Sequence, residues 1–107
     1  MCFALDGPVL PENFAVATPL CEEMLARRGD IRMLIQCRNF TGWSEETARL
    51  DMSFTLHYGA HISRIALVNP PPSMISLFKI KDALHKRDVR YFGEEEFDKA
   101  LAWVNGD

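Results

Sequence analysis

Few residues of this 107-residue chain combine the type and the spacing that chemistry needs. His57 and His61 stand four apart, which on an unbroken helix puts both imidazoles on one face, as a metal requires. Gly59 falls between them as a helix-ending residue, and no cysteine or carboxylate at ligand spacing completes a set, so the sequence points to no metal site and no cofactor. Asp51 lies among Ala48, Phe54 and Thr55, where a carboxylate needs a cation or a wet cleft. Arg64, at the start of an apolar run, is the expected partner in a structural ion pair; the sharper alternative makes Asp51 a contact for a ligand head group. Thr41 and Ser44 precede Glu45 and Glu46 and can cap a helix whose first turn carries the favourable charge. Cys2, Cys21 and Cys37 form no Cys-x-x-Cys pair and sit on apolar periodicities, the pattern of small buried thiols in a reducing compartment. There is no Ser-His-Asp order, P-loop, dinucleotide fingerprint or paired-carboxylate motif, so no catalytic residue is assigned and no enzyme is proposed.

The composition narrows the class. Hydrophobic residues make up 48% and charged residues 25%, and the formal net charge is −3. That balance fits one globular domain over 1–107 and argues against a nucleic-acid partner, which would call for a basic excess. Lys79, Lys81, Lys86, Arg87 and Arg90 gather near one another, but Asp82, Asp88 and Glu94-Glu95-Glu96 lie beside them, as on a solvated helix face. The opening run is too short for a signal peptide and no stretch reaches membrane-spanning length, so the expected location is the cytoplasm.

The elements that must position these residues centre on 31–68. A strand over 31–37 leads through Phe40-Thr41-Gly42-Trp43 into a helix over 44–58 and then a second strand over 64–68, a β-α-β crossover. Ahead of it, a strand over 2–5 stops at Asp6-Gly7-Pro8 and leaves an open sheet edge. A helix then opens at Pro11 and ends at Gly29, with Pro19 predicting a kink or a second start near Thr18. Beyond the crossover, Asn69-Pro70-Pro71-Pro72 rules out helix until Ser73. A third helix follows on Met74, Leu77, Phe78 and Leu84, then a strand over 89–92. A fourth helix begins at Glu94-Glu95-Glu96, with Phe97, Leu101 and Val104 inward. Strand and helix alternate throughout, predicting an α/β fold with a mostly parallel four-stranded sheet and four helices.

The crossover helix has an unusual wheel. At ~100° per residue, Trp43, Leu50, Phe54 and Tyr58 cluster with Thr47 and His57, and Ala48, Met52, Leu56 and Gly59 form a second flank. The polar wedge is only Glu45, Glu46, Arg49 and Ser53. A sheet covers an arc of little more than ~100°, so the surplus calls for a neighbouring helix, a second subunit or an apolar ligand.

Taken together, Ile31-Arg32-Met33-Leu34-Ile35, Phe40-Thr41-Gly42-Trp43, Asp51-Met52-Ser53-Phe54, Arg64-Ile65-Ala66-Leu67-Val68, Val89-Arg90-Tyr91-Phe92 and Ala100-Leu101-Ala102-Trp103 resemble, in order and spacing, the bacterial SpoIIAA-like proteins of STAS/SEC14 type. The resemblance implies a β-α superhelix related to anti-sigma-factor antagonists, STAS domains and CRAL-TRIO lipid-binding domains. Two departures stand out: family members usually have one more strand before the first one here, and a Lys-Trp segment where this chain has Asn69-Pro70-Pro71-Pro72-Ser73. The relationship implies a non-enzymatic domain binding a protein partner or a small apolar or lipid-like ligand near Phe40, Gly42, Trp43, Asp51, Phe54 and Tyr58. The alternative is a phospho-switched, antagonist-like regulator that uses Thr41 or Ser44, although the Asp-Ser pair typical of antagonists reads Asn39-Phe40 here. A homodimer through the open edge at Cys2 or through the helix arc fits the same pattern.

Overall fold

The computed structural model describes residues 2–39, 42, 44–82 and 88–106. Phe40, Thr41, Trp43, Leu84, His85, Lys86 and Arg87 therefore lie outside the described residues. The elements run β1 (Cys2–Asp6), α1 (Pro11–Arg28), β2 (Ile31–Arg38), α2 (Glu45–Tyr58), β3 (Ile62–Val68), α3 (Pro72–Asp82), β4 (Asp88–Phe92) and α4 (Phe97–Asn105). The four strands form one parallel sheet in the order β1-β2-β3-β4. Each crossover steps the same way along the sheet, and connections of one hand then deliver their helices to one face. Cys21 of α1, Tyr58 of α2 and Met74 and Phe78 of α3 accordingly pack on Ile31, Met33, Ile65 and Leu67. The opposite face, Leu34, Ala66 and Val68, is covered by Ala100 and Val104 of α4.

The alternation along β2 does what a doubly covered central strand requires, sending Ile31, Met33 and Cys37 to one core and Leu34 to the other. β3 departs from simple alternation. Its register against β2 shifts between Ile31 and Arg32, so that Ile62 pairs with Ile31 and Arg64 with Arg32, leaving Ser63 as the extra residue. Ile62 and Ile65, an odd number apart, thereby reach the same core. Ser63 donates its hydroxyl to Asp30 Oδ2 at 2.6 Å. That bond, with Arg32 close by, holds the Asp30 carboxyl below its ordinary range against the opposing effect of burial.

Several element ends differ from the sequence expectation. α1 runs through Pro19 as one helix, with the Thr18 hydroxyl donating to the Phe14 carbonyl at 2.9 Å; no second start forms. α3 begins at Pro72, where a proline in the first turn lacks only a donor the helix would not use. Glu94–Glu96 form a 3-10 turn before α4, closed by Gly93 N–H to Glu96 Oε1 at 2.8 Å. Cys21 and Cys37 are buried, and burial pushes both thiols up to about 11. Cys2 is exposed, contrary to the buried reading, because β1 is an edge strand and α4 does not extend over it.

Candidate functional site

The three crossover helices do not fill the space above the sheet. Between them lies a cavity of about 110 Å³ whose wall is almost entirely apolar. The sheet supplies Phe3, Leu5, Met33, Ile35, Ile62 and Ile65, and α3 supplies Met74 and Phe78. α1 and the turn before it contribute Val9, Asn13, Phe14 and Ala17, and α2 contributes Asp51, Phe54 and Thr55. Asn13 turns its side-chain oxygen to the backbone, accepting the Leu10 N–H at 2.7 Å at the start of α1.

The local sequence of α2 explains how it frames this space. Ser44 caps it, its hydroxyl oxygen accepting the Thr47 N–H at 3.2 Å and lying 3.0 Å from the Thr47 hydroxyl, while Glu45 and Glu46 occupy the first turn. One flank of α2 meets α1. Phe54 packs edge-on against Phe14 with ring centroids 5.9 Å apart, and Tyr58 donates its hydroxyl to Glu22 Oε1 at 2.6 Å. That hydrogen bond, burial and the carboxylate's charge, in that order, raise the Tyr58 phenol to about 12. Met52 and Leu56 fall on the other flank, toward α3, and are 53% and 72% exposed. Ile80 of α3 is also exposed. Among the described residues, the surplus arc of α2 is therefore covered on the α1 side, while Met52 and Leu56 on its other flank stay exposed.

The residues expected at a site divide accordingly. Asp51 and Phe54 line the cavity. Tyr58 is buried beside it as the α1–α2 link. Gly42, at φ 108°, accepts the Val9 N–H at 3.1 Å, which ties the β2–α2 loop to the β1–α1 loop. Phe40, Thr41 and Trp43 lie outside the described residues. The expected Asp51–Arg64 pair is corrected. Asp51 faces the core under α1–α3, whereas Arg64 reaches the opposite side of the sheet, donating to the carbonyls of Trp103 (2.8 Å) and Gly106 (2.9 Å). Arg32, its register neighbour, donates to Val104 O at 3.5 Å and to Gly106 O. Two guanidiniums thus complement the negative end of α4. A 3-10 turn over Gly59–His61 ends the helical spacing between His57 and His61, and among the described residues no group of His, Cys, Asp and Glu could hold a metal.

Sequence reasoning missed the cavity residues of β1, α1 and α3. Phe3, Leu5, Phe14 and Met74 each read as ordinary core, and only the three-dimensional spacing of the helices shows that their side chains fall short of one another. Nor does the cavity lie where open α/β sheets usually bind ligands, at the strand ends where successive connections leave on opposite faces. Here that point is between β3 and β4, and it is bridged by Asn69 N–H to Phe92 O at 2.8 Å.

The architecture and the sequence agree on kinship. A family model for SpoIIAA-like proteins matches residues 1–105. The chain belongs to the SpoIIAA-like family. A solved structure of an uncharacterized protein of the DUF3478 family from Shewanella loihica PV-4, with a SpoIIAA-like fold, is similar to this SpoIIAA-like chain at 25% identity and a TM-score of 0.71. The match covers 96% of this chain and 81% of that one. No curated protein matches the sequence. Among the described residues of this SpoIIAA-like domain, no helix is long and apolar enough to cross a membrane.

Proposed function

We propose that this SpoIIAA-like chain binds a small apolar molecule between its sheet and helices α1, α2 and α3. The observation that carries the reading is the apolar cavity, which Asp51, Phe54 and Thr55 of α2 help to line, while Met52 and Leu56 on the same helix stay exposed. Size narrows the ligand class. A buried apolar cavity of ~150 Å³ stays dry and accepts benzene, and drug-sized ligands occupy roughly 300–1,000 Å³. At about 110 Å³ the space suits one small ring or a short aliphatic group. No catalytic group is part of the proposal.

Binding to the native state alone raises stability by about 2.7 kcal/mol at a ligand concentration of 100 Kd. Thermal unfolding in the presence of benzene, indole and short alkanols is the test, with Ala17→Leu as the control, because Ala17 is buried on the cavity wall. The expected result is a saturable rise in Tm for the native sequence, lost in Ala17→Leu. No rise for any of these probes contradicts the reading.

The exposed Met52 and Leu56 favour a second reading, in which the apolar group belongs to a protein partner laid against α2. It differs in outcome: a partner's binding is lost on Leu56→Glu, and small probes alone leave Tm unchanged. The phospho-switched alternative has less support. Of the two phosphoacceptors it invokes, Thr41 lies outside the described residues and Ser44 is engaged as the cap of α2.

A further inference from the structure

The wall of the cavity carries a hydroxyl that the fold leaves unsatisfied. Thr55 of α2 is only 4% exposed and lines the space between the helices and the sheet. Among the described residues, nothing shares a hydrogen bond with its side-chain oxygen. The other described threonines show what a helix ordinarily arranges. Thr18 donates its hydroxyl back to the Phe14 carbonyl at 2.9 Å, and the Thr47 hydroxyl lies 3.0 Å from Ser44 Oγ. Thr55 has the same backward choice, the Asp51 carbonyl one turn earlier, and does not take it.

A buried hydroxyl without a partner destabilises the fold, and a ligand that supplies the partner recovers that loss on binding. Water is poorly suited to the role. An ordered buried water needs about two to four polar partners, and this wall offers little beyond Thr55. Asn13 Oδ1 already accepts the Leu10 N–H, and Asp51 is engaged in an interaction of its own. Among the described residues Asp51 is also the charged side chain on the wall, so an anionic head group would meet an acid and find no counter-ion.

We infer that the small apolar ligand of this cavity carries one neutral hydrogen-bonding group, a hydroxyl or a carbonyl, which meets the Thr55 hydroxyl while the rest of the molecule fills the apolar space. The inference rests on the cavity reading proposed above and narrows it from hydrocarbons in general to small alcohols, phenols and ketones. A threonine hydroxyl both donates and accepts, so it takes either head group.

Toluene and phenol, probes of nearly equal size, test it. Their dissociation constants are measured by methyl NMR titration of the native sequence, of Thr55→Val, which exchanges the hydroxyl for a methyl at constant shape, and of Thr55→Ser, which keeps the hydroxyl. Thr55→Val is expected to weaken phenol about tenfold relative to toluene, and Thr55→Ser to retain the native ratio. In urea titrations without probe, Thr55→Val is expected to unfold at the native midpoint or above it, since no bond within the chain is lost. Binding of toluene without phenol, or a phenol-to-toluene ratio unchanged by Thr55→Val, overturns the inference and leaves the cavity reading standing. A lower midpoint for Thr55→Val also overturns it, because the hydroxyl then has a partner in the fold. Saturation of the native sequence by neither probe overturns both readings.

Discussion

Arg64 and Arg32 sit side by side in register, yet both carry their charge to the last carbonyls of α4. Hydrogen bonds from a charged donor to buried or partly buried acceptors contribute about 1.5–3 kcal/mol. Arg64→Ala is therefore expected to lower the unfolding free energy by about 2 kcal/mol in a urea titration, with Arg64→Lys intermediate because one ammonium does not reproduce the planar fork. An unchanged midpoint would show that the α4 end does not depend on this contact. Sequence alone could not give Arg64 this role. Ile65, Ala66, Leu67 and Val68 are apolar on both sides of the strand, so alternation does not reveal which side faces α2 and which faces α4. The register shift at Ser63 leaves no trace in residue type either.

At the scale of elements, α2 shows what was and was not legible. Its span, its Ser44 cap and its excess of apolar surface follow from periodicity and capping chemistry, and the structure carries all three. Which flank would be covered does not follow, because that depends on how closely two helices distant in sequence approach. α1 closes one flank through Phe14–Phe54 and Glu22–Tyr58. This link has a pH signature. The Tyr58 phenol is raised from an unfolded value of ~10 to about 12 in the folded chain. Its contribution to stability is therefore fully present below the unfolded value and is lost as pH rises through the folded one. Tyr58→Phe lacks that term. The stability difference between native sequence and variant is expected to shrink as pH is raised from about 10 towards 12, followed by chemical denaturation. A constant difference would mean the phenol titrates alike in both states. Pro19 taught the opposite lesson about local rules: a single missing helix donor did not stop α1, whose buried Ala17 and Cys21 hold it to the sheet on either side of the proline.

The whole molecule is asymmetric about its sheet. One face carries three crossover helices and a cavity, and the other a single helix closely tied down by two arginines. Strand number, parallel character and helix number were readable because each β-α step announces itself by period and by its turn residues, and parallel strands need a crossover; the order β1-β2-β3-β4 came only with the structure. The void was not readable, since it arises from the sum of side-chain volumes over residues as far apart in sequence as Phe3 and Phe78. The account turns on that void being a binding site rather than an imperfection of packing. The most direct measurement is a methyl NMR titration with a small aromatic probe such as indole, following Met33, Ile35, Ile65 and Met74 on the cavity wall and Met52 and Leu56 on the open flank. Saturable shifts that begin at the wall methyls are expected. Shifts confined to Met52 and Leu56, or none that saturate, would contradict a ligand site inside the molecule.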